Sequence, residues 1–247
     1  MFKGFYNLAS GMITKNRNLN VISNNMTNMN TPGFKSDTMV STTFQEEVLS
    51  RYGNLDRSEP VEVGATTMIL TPEETIADFA QGSYEETGHP LDFALAGSGF
   101  FVIQAEDGVR YTRNGSFIID DGGYLSLQGS GRVLGTNGPI HLYSDDVTVN
   151  PRGVISIGDI PIATLLISDF EDYALVTKDA DGLFQSAAQP INGTAVVMGK
   201  TLETSNVDSI REMTEMMSSQ RSIQSLSQIL KMYDELMAKT VTELGKI

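Results

Sequence analysis

The 247-residue chain contains no cysteine and no tryptophan, and has only two histidines, His89 and His141. Without thiolates, neither disulfides nor cysteine-based metal sites are available, so cysteine usage assigns no redox compartment. The two histidines lie far apart in sequence with no His-x-x-x-His spacing, and each reads as a surface or packing residue and not as a transition-metal ligand. No stretch approaches the roughly 20 apolar residues of a membrane-spanning helix. The start, Met-Phe-Lys-Gly-Phe-Tyr-Asn, has neither an uninterrupted apolar core nor a small-residue cleavage site, so no cleavable signal peptide is expected.

Acidic residues are also missing from residues 1–35, which carry Lys3, Lys15, Arg17 and Lys35. The formal net charge is −14, with +4 in residues 1–35 and −1 from 206 onward, so residues 36–205 carry −17. An acidic middle segment of that strength excludes a nucleic-acid surface there.

What is present is a long apolar periodicity at both ends. Phe5, Leu8, Met12, Leu19, Ile22, Met26 and Met29 follow a three-four alternation that predicts a helix over 2–29. At the other end, Ile223, Leu226, Leu230, Tyr233, Met237, Val241 and Leu244 form the same seam, preceded by Val207, Ile210, Met213 and Met217. Between the two parts the phase slips at Ser218, Ser219 and Gln220, as a stutter would make it do. Ser205 is the expected N-cap, with Asp208 completing a capping box. A seam this long needs a partner, and the matched spacing of the two ends predicts coiled-coil-like pairing, within one chain or between copies. Gly11, in Ser10-Gly11-Met12, reads either as a tolerated glycine or as a place of close helix approach.

The N-terminal helix should stop at the breaker cluster Asn28, Asn30, Thr31, Pro32 and Gly33. Residues 36–66 are mixed, an extended arm or a short helix near 44–49. From about Glu62 to Glu203, short apolar runs alternate with turn residues such as Asp120-Asp121-Gly122-Gly123, Pro151-Arg152-Gly153 and Asp181-Gly182. The fold class is therefore α+β: terminal helices at 1–35 and 204–247, an arm or linker at 36–80, and an acidic antiparallel β domain at 81–203.

No catalytic constellation emerges. Asp179, Asp181 and Gly182 resemble part of a calcium loop, yet its twelfth position is Pro190 and not a glutamate. Asp120-Asp121 and Asp145-Asp146 read as solvated turn acids. Gly97-Ser98-Gly99 is neither a dinucleotide loop nor a nucleophile elbow. Arg110, Arg113 and Arg132 are too few for a nucleic-acid footprint within so acidic a segment. A non-enzymatic chain with no cofactor and no metal is expected.

The terminal motifs do carry a resemblance. Ser10-Gly11-Met12 and the run from Ile22 to Lys35, ending Asn30-Thr31-Pro32-Gly33-Phe34-Lys35, are similar to the N-terminal signature of bacterial flagellar rod and hook proteins. The similarity continues through Pro90 to Leu95, Gly97 to Phe101, Tyr111 to Phe117, Gly123-Tyr124-Leu125, Gly199 to Val207 and Gln220-Arg221. It departs from the usual pattern at Thr27 and Met29, and is weakest over 37–80.

The resemblance implies a proximal or distal rod subunit of the basal body, exported unfolded by the flagellar type III apparatus. Terminal helices of many copies would form an inner tube and the β domain an outer layer, transmitting torque. The implied partners are further copies, other rod and hook proteins and the export apparatus, with no nucleic acid and no membrane insertion. The turn at 28–33 would set the angle at which the β domain leaves the tube. Two alternatives remain: a hook subunit of the same family, or a secreted carbohydrate-binding or hydrolytic β module on a helical stalk. The latter requires a cleft with converging carboxylates such as Asp120 and Asp145.

Overall fold

The computed structural model describes residues 2–43, 46–51, 61–67, 70–158, 160–179 and 181–244. The chain divides into two compact units. One holds residues 1–26, 37–76 and 208–247; the other holds 27–36 and 77–207.

The first unit contains two long helices, α1 (Phe2–Thr27) and α2 (Ser209–Leu244). Neither segment contains proline, so nothing interrupts the backbone ladder. Between them in sequence lie β1 (Asp37–Thr43), β2 (Glu46–Arg51), β3 (Val61–Thr67) and β4 (Leu70–Ala77). β1 pairs with β4, and β2 pairs antiparallel with β3. The stretch left open as arm or short helix is thus a strand over 46–51, whereas Phe44 and Gln45 lie outside the described residues. α1 ends at Thr27, two residues before the expected Met29. Thr31 closes a turn there by donating its amide to the Asn28 carbonyl at 3.1 Å and its hydroxyl to Asn28 Oδ1 at 3.2 Å.

The second unit is antiparallel β. Its strands are β5 (Tyr84–Glu86), β6 (Phe93–Ala96), β7 (Phe100–Ala105), β8 (Gly108–Thr112), β9 (Phe117–Ile119), β10 (Leu125–Leu127) and β11 (Gly131–Gly135). There follow β12 (Gly138–Pro139), β13 (Thr148–Val149), β14 (Val154–Ile157), β15 (Ile160–Thr164) and β16 (Ile167–Asp169). The last five are β17 (Val176–Lys178), β18 (Phe184–Ser186), β19 (Ile191–Asn192), β20 (Val196–Gly199) and β21 (Thr201–Glu203).

β7 organises the packing. It pairs with β8, β11 and β16, and its first four residues, Phe-Phe-Val-Ile, are all buried. Successive side chains of a strand point to opposite faces, so a run without polar alternation requires cover on both. Phe101 and Ile103 enter a core with Phe93, Leu95, Phe117, Leu125, Val133 and Leu165. Phe100 and Val102 enter a second core with Tyr111, Phe170, Val176 and Phe184. Burial of each of these large side chains contributes roughly 1.5 to 3 kcal/mol. The expected plan of terminal helices around a central antiparallel β domain is what is observed.

Candidate assembly interface

Each helix of the first unit turns one face inward. On α2 the partly or fully buried positions are Glu212, Met216, Ser219, Ile223, Leu226, Leu230, Tyr233 and Met237, a four-three alternation that keeps one phase throughout. The stutter expected at 218–220 is absent. Ser219 occupies a seam position and is buried. Ile210, Met213 and Met217 are instead exposed, each one residue beyond a seam position, which turns them about 100° away from the seam. A second exposed row, Ile229, Met232 and Leu236, lies one residue before the seam positions, on the opposite flank. Apolar spacing alone merges these rows because both obey the same period.

On α1, Ile22 is buried, and Leu8, Met12, Leu19 and Met26 are half-buried. Phe5 is 37% exposed and stands 6.5 Å, centroid to centroid, from the Tyr233 ring. Near the other end of α1, Asn25 Nδ2 donates to Glu212 Oε1 at 3.2 Å and to the Asp37 carbonyl at 2.9 Å, while Asn25 Oδ1 accepts the Asp37 amide at 2.9 Å. These two contacts run in opposite directions along the helices, so the pair is antiparallel. Met29 is exposed beyond the end of α1, Val207 is half-buried ahead of α2, and Val241 is exposed. The side chain of Leu244 lies outside the described residues.

Glu212 is the electrostatic exception on this seam. Burial raises its carboxyl above the ordinary 4.5, the Asn25 amide opposes that shift, and the Glu215 charge reinforces it. Glu212 Oε2 is buried with no hydrogen-bond partner among the described residues. The N-cap of α2 is Asp208, whose Oδ1 accepts the amides of Ile210 at 3.0 Å and Arg211 at 3.2 Å. Ser205, the expected cap, makes a local turn by accepting the Val207 amide at 3.3 Å. A carboxylate at this end is favoured by the helix dipole as well as by hydrogen bonding.

Gly11 is not a point of close approach within the chain, since a Cβ there would meet no atom within 4 Å. It lines an open groove of about 760 Å³ between α1 and α2, together with Asn7, Thr14, Lys15, Ser218, Arg221 and neighbouring residues.

The breaker cluster belongs to the second unit, where its end is held tightly. Gly33 has φ +66, and a Cβ on it would lie 2.2 Å from the Arg113 carbonyl carbon; its amide donates to the Glu203 carbonyl at 2.7 Å. Lys35, only 1% exposed, donates from Nζ to Glu203 Oε1 at 2.6 Å and to the Ala80 carbonyl at 2.8 Å. Arg113 Nη1 donates to Glu203 Oε2 at 3.3 Å, and the Gly82 amide donates to Oε1 at 3.1 Å. Burial lowers the Lys35 pKa from 10.5, with the Glu203 hydrogen bond and charge opposing that shift. Next to it, the Lys178 ammonium lies 3.6 Å from the Phe34 ring centre and donates to the Lys35 carbonyl at 2.8 Å. Asn206 Oδ1 accepts the Ser36 amide at 2.8 Å. Asn28, Thr31 and Pro32 are half-buried and Asn30 is exposed.

Sequence reasoning missed the Lys35–Glu203–Arg113 cluster. The available signal was that Lys35, Arg113 and Glu203 each sit inside a family-like motif, two of them beside buried aromatic or aliphatic neighbours. The other arginines are also committed internally: Arg132 Nε bonds Asp120 Oδ2 at 2.8 Å and its guanidinium covers the Tyr124 ring at 4.2 Å, and Arg110 faces Asp179 at 3.8 Å. Asp120 Oδ1 accepts the Gly122 and Tyr124 amides, both at 2.8 Å, which with Arg132 holds its carboxyl below the ordinary range. Its oxygens thus fix a turn and its neighbour Arg132.

Three family models match the chain: "Flagella basal body rod protein" over residues 5–35, "Flagellar hook protein FlgE/F/G D1 domain" over 94–157, and "Flagellar basal body rod FlgEFG protein C-terminal" over 198–243. The chain is 32% identical to the flagellar basal-body rod protein FlgF of Caulobacter vibrioides over the full length of both. It is 31% identical to the flagellar basal-body rod protein FlgG of Bacillus subtilis over 98% of each chain. To the flagellar hook-basal body complex protein FlhO of the same species it is 28% identical over both full lengths.

Proposed function

The chain belongs to the flagellar basal-body rod protein family and is a structural subunit of the flagellar basal body, and we propose that it polymerises through α1 and α2 to carry torque along the rod. The observation behind this reading is the double apolar character of α2. One seam is turned inward, while Ile210, Met213 and Met217 on one flank and Ile229, Met232 and Leu236 on the other stay exposed. Large apolar rows without cover in the single chain are surfaces for further subunits. Rows on opposite flanks of one helix favour heterologous contacts, which propagate as a helical polymer instead of closing a dimer.

Within such a polymer the inner layer is a coiled-coil-like array of terminal helices, with other rod and hook proteins as neighbours at its ends. The turn at Asn28 to Gly33 sets the direction in which the chain enters the β unit, because Gly33 and Lys35 are locked there and cannot rotate freely. Delivery is by the flagellar export apparatus. No helix among the described residues is long and apolar enough to cross a membrane.

The test is genetic and structural together. A bacterium whose own copy is replaced by the Met213→Glu, Met232→Glu double variant should still export the protein yet yield basal bodies with truncated rods and no motility. Normal rods and swimming would remove the polymerisation reading.

A further inference from the structure

The groove between α1 and α2 is unlike the rest of the helix pair. Its floor is Gly11, Ser218, Ser222 and Ser225, all small, and the space above Gly11 is open. Its walls carry Lys15 and Arg221, which have no ion pair among the described residues. A wide slot with a small-residue floor and two unpaired cations fits an occupant that is both bulky and acidic.

The chain presents one such surface on the same helix. Ile229, Met232 and Leu236 protrude beside Asp234 and Glu235, two exposed carboxylates that likewise have no ion pair among the described residues. This row cannot enter its own groove. α2 is one continuous helix over Ser209–Leu244, and the row lies about 12 residues, or roughly 18 Å, farther along it than the middle of the groove. The complementary partner must come from another molecule.

We propose that the Gly11 groove of one copy receives the Ile229–Leu236 row of α2 from a second copy, with Glu235 and Asp234 facing Lys15 and Arg221. This docking rests on the polymerisation reading and specifies it. Groove and row lie at different heights, so each copy offers one of each and the contact repeats with a stagger of roughly 18 Å. It also explains why Gly11 has no close neighbour in the single chain: the approach it permits is intermolecular.

The absence of cysteine makes the contact directly readable. Full-length Ser218→Cys protein is mixed with full-length Met232→Cys protein and oxidised under assembling conditions. The expected result is a disulfide-linked heterodimer that forms only in the mixture. In parallel, Lys15→Glu with Arg221→Glu should raise the concentration needed for assembly about tenfold or more, because like charges then face each other. Mixing that variant with Asp234→Lys, Glu235→Lys chains should bring assembly back. Polymers that form with neither the cross-link nor any response to charge reversal overturn the docking while leaving polymerisation through the helices intact. An unsubstituted chain that never polymerises overturns both.

Discussion

Lys35 Nζ and Glu203 Oε1 are 2.6 Å apart although 168 positions separate them in the chain, and both side chains are almost wholly withdrawn from solvent. The pair ties the turn that follows α1 to the strand that precedes α2. Arg113, also buried, adds a second cation to the same carboxylate. Removing one partner of a buried pair leaves an uncompensated charge, which costs about 3 to 5 kcal/mol. Lys35→Met and Glu203→Gln should each lower the stability of the β unit by that amount, measured by denaturant unfolding of the purified full-length protein.

At Gly33, φ +66 coincides with direct backbone contact from Arg113. Gly33→Ala therefore meets both left-handed strain and steric overlap, and the loss should exceed the roughly 1 kcal/mol of strain alone. Thermal unfolding of the variant reads this directly. A change within a few tenths of a kcal/mol would mean the turn is free to rearrange.

The N-cap of α2 is testable by a pair of substitutions. Asp208→Ala should destabilise the helix by about 1 kcal/mol, whereas Ser205→Ala should change it far less. Helix unfolding followed by circular dichroism separates the two. The reverse order would restore Ser205 as the cap.

Glu212 makes the helix pair sensitive to pH. Its folded-state pKa is raised above 4.5, mainly by burial. The stability it contributes is complete below that value and is lost as pH rises through the folded-state pKa. Glu212→Gln removes the ionisation, so the variant should be more stable than the parent chain near neutral pH, and the difference should shrink as the solution is acidified towards 4.5. Melting curves of the helical signal across that range give the result.

The two terminal helices and the β run were legible because each is written locally, in a period of 3.6 or in short runs between turn residues. The phase of α2 was less legible for a physical reason. Met213 and Met217 are as apolar as the seam itself, while Glu212 and Ser219 are polar seam residues, so counting apolar side chains selects the wrong row upstream of Ile223. Likewise Ser205 and Asp208 are both good caps by residue type, and only the backbone decides between them. The Lys35–Glu203–Arg113 cluster was invisible because a charge expected at the surface becomes a core residue only through partners far away in sequence. Asp120 shows the reverse: a carboxylate that looks chemically available is held by Gly122, Tyr124 and Arg132.

Sedimentation velocity of the full-length chain over a concentration series, beside its Met213→Glu, Met232→Glu variant, bears most directly on whether the exposed rows of α2 build the rod. The native chain should give species that grow with concentration into extended polymers, while the variant stays monomeric with its helical signal unchanged. A native chain that remains monomeric throughout, or a variant that polymerises equally well, would contradict assembly through these rows.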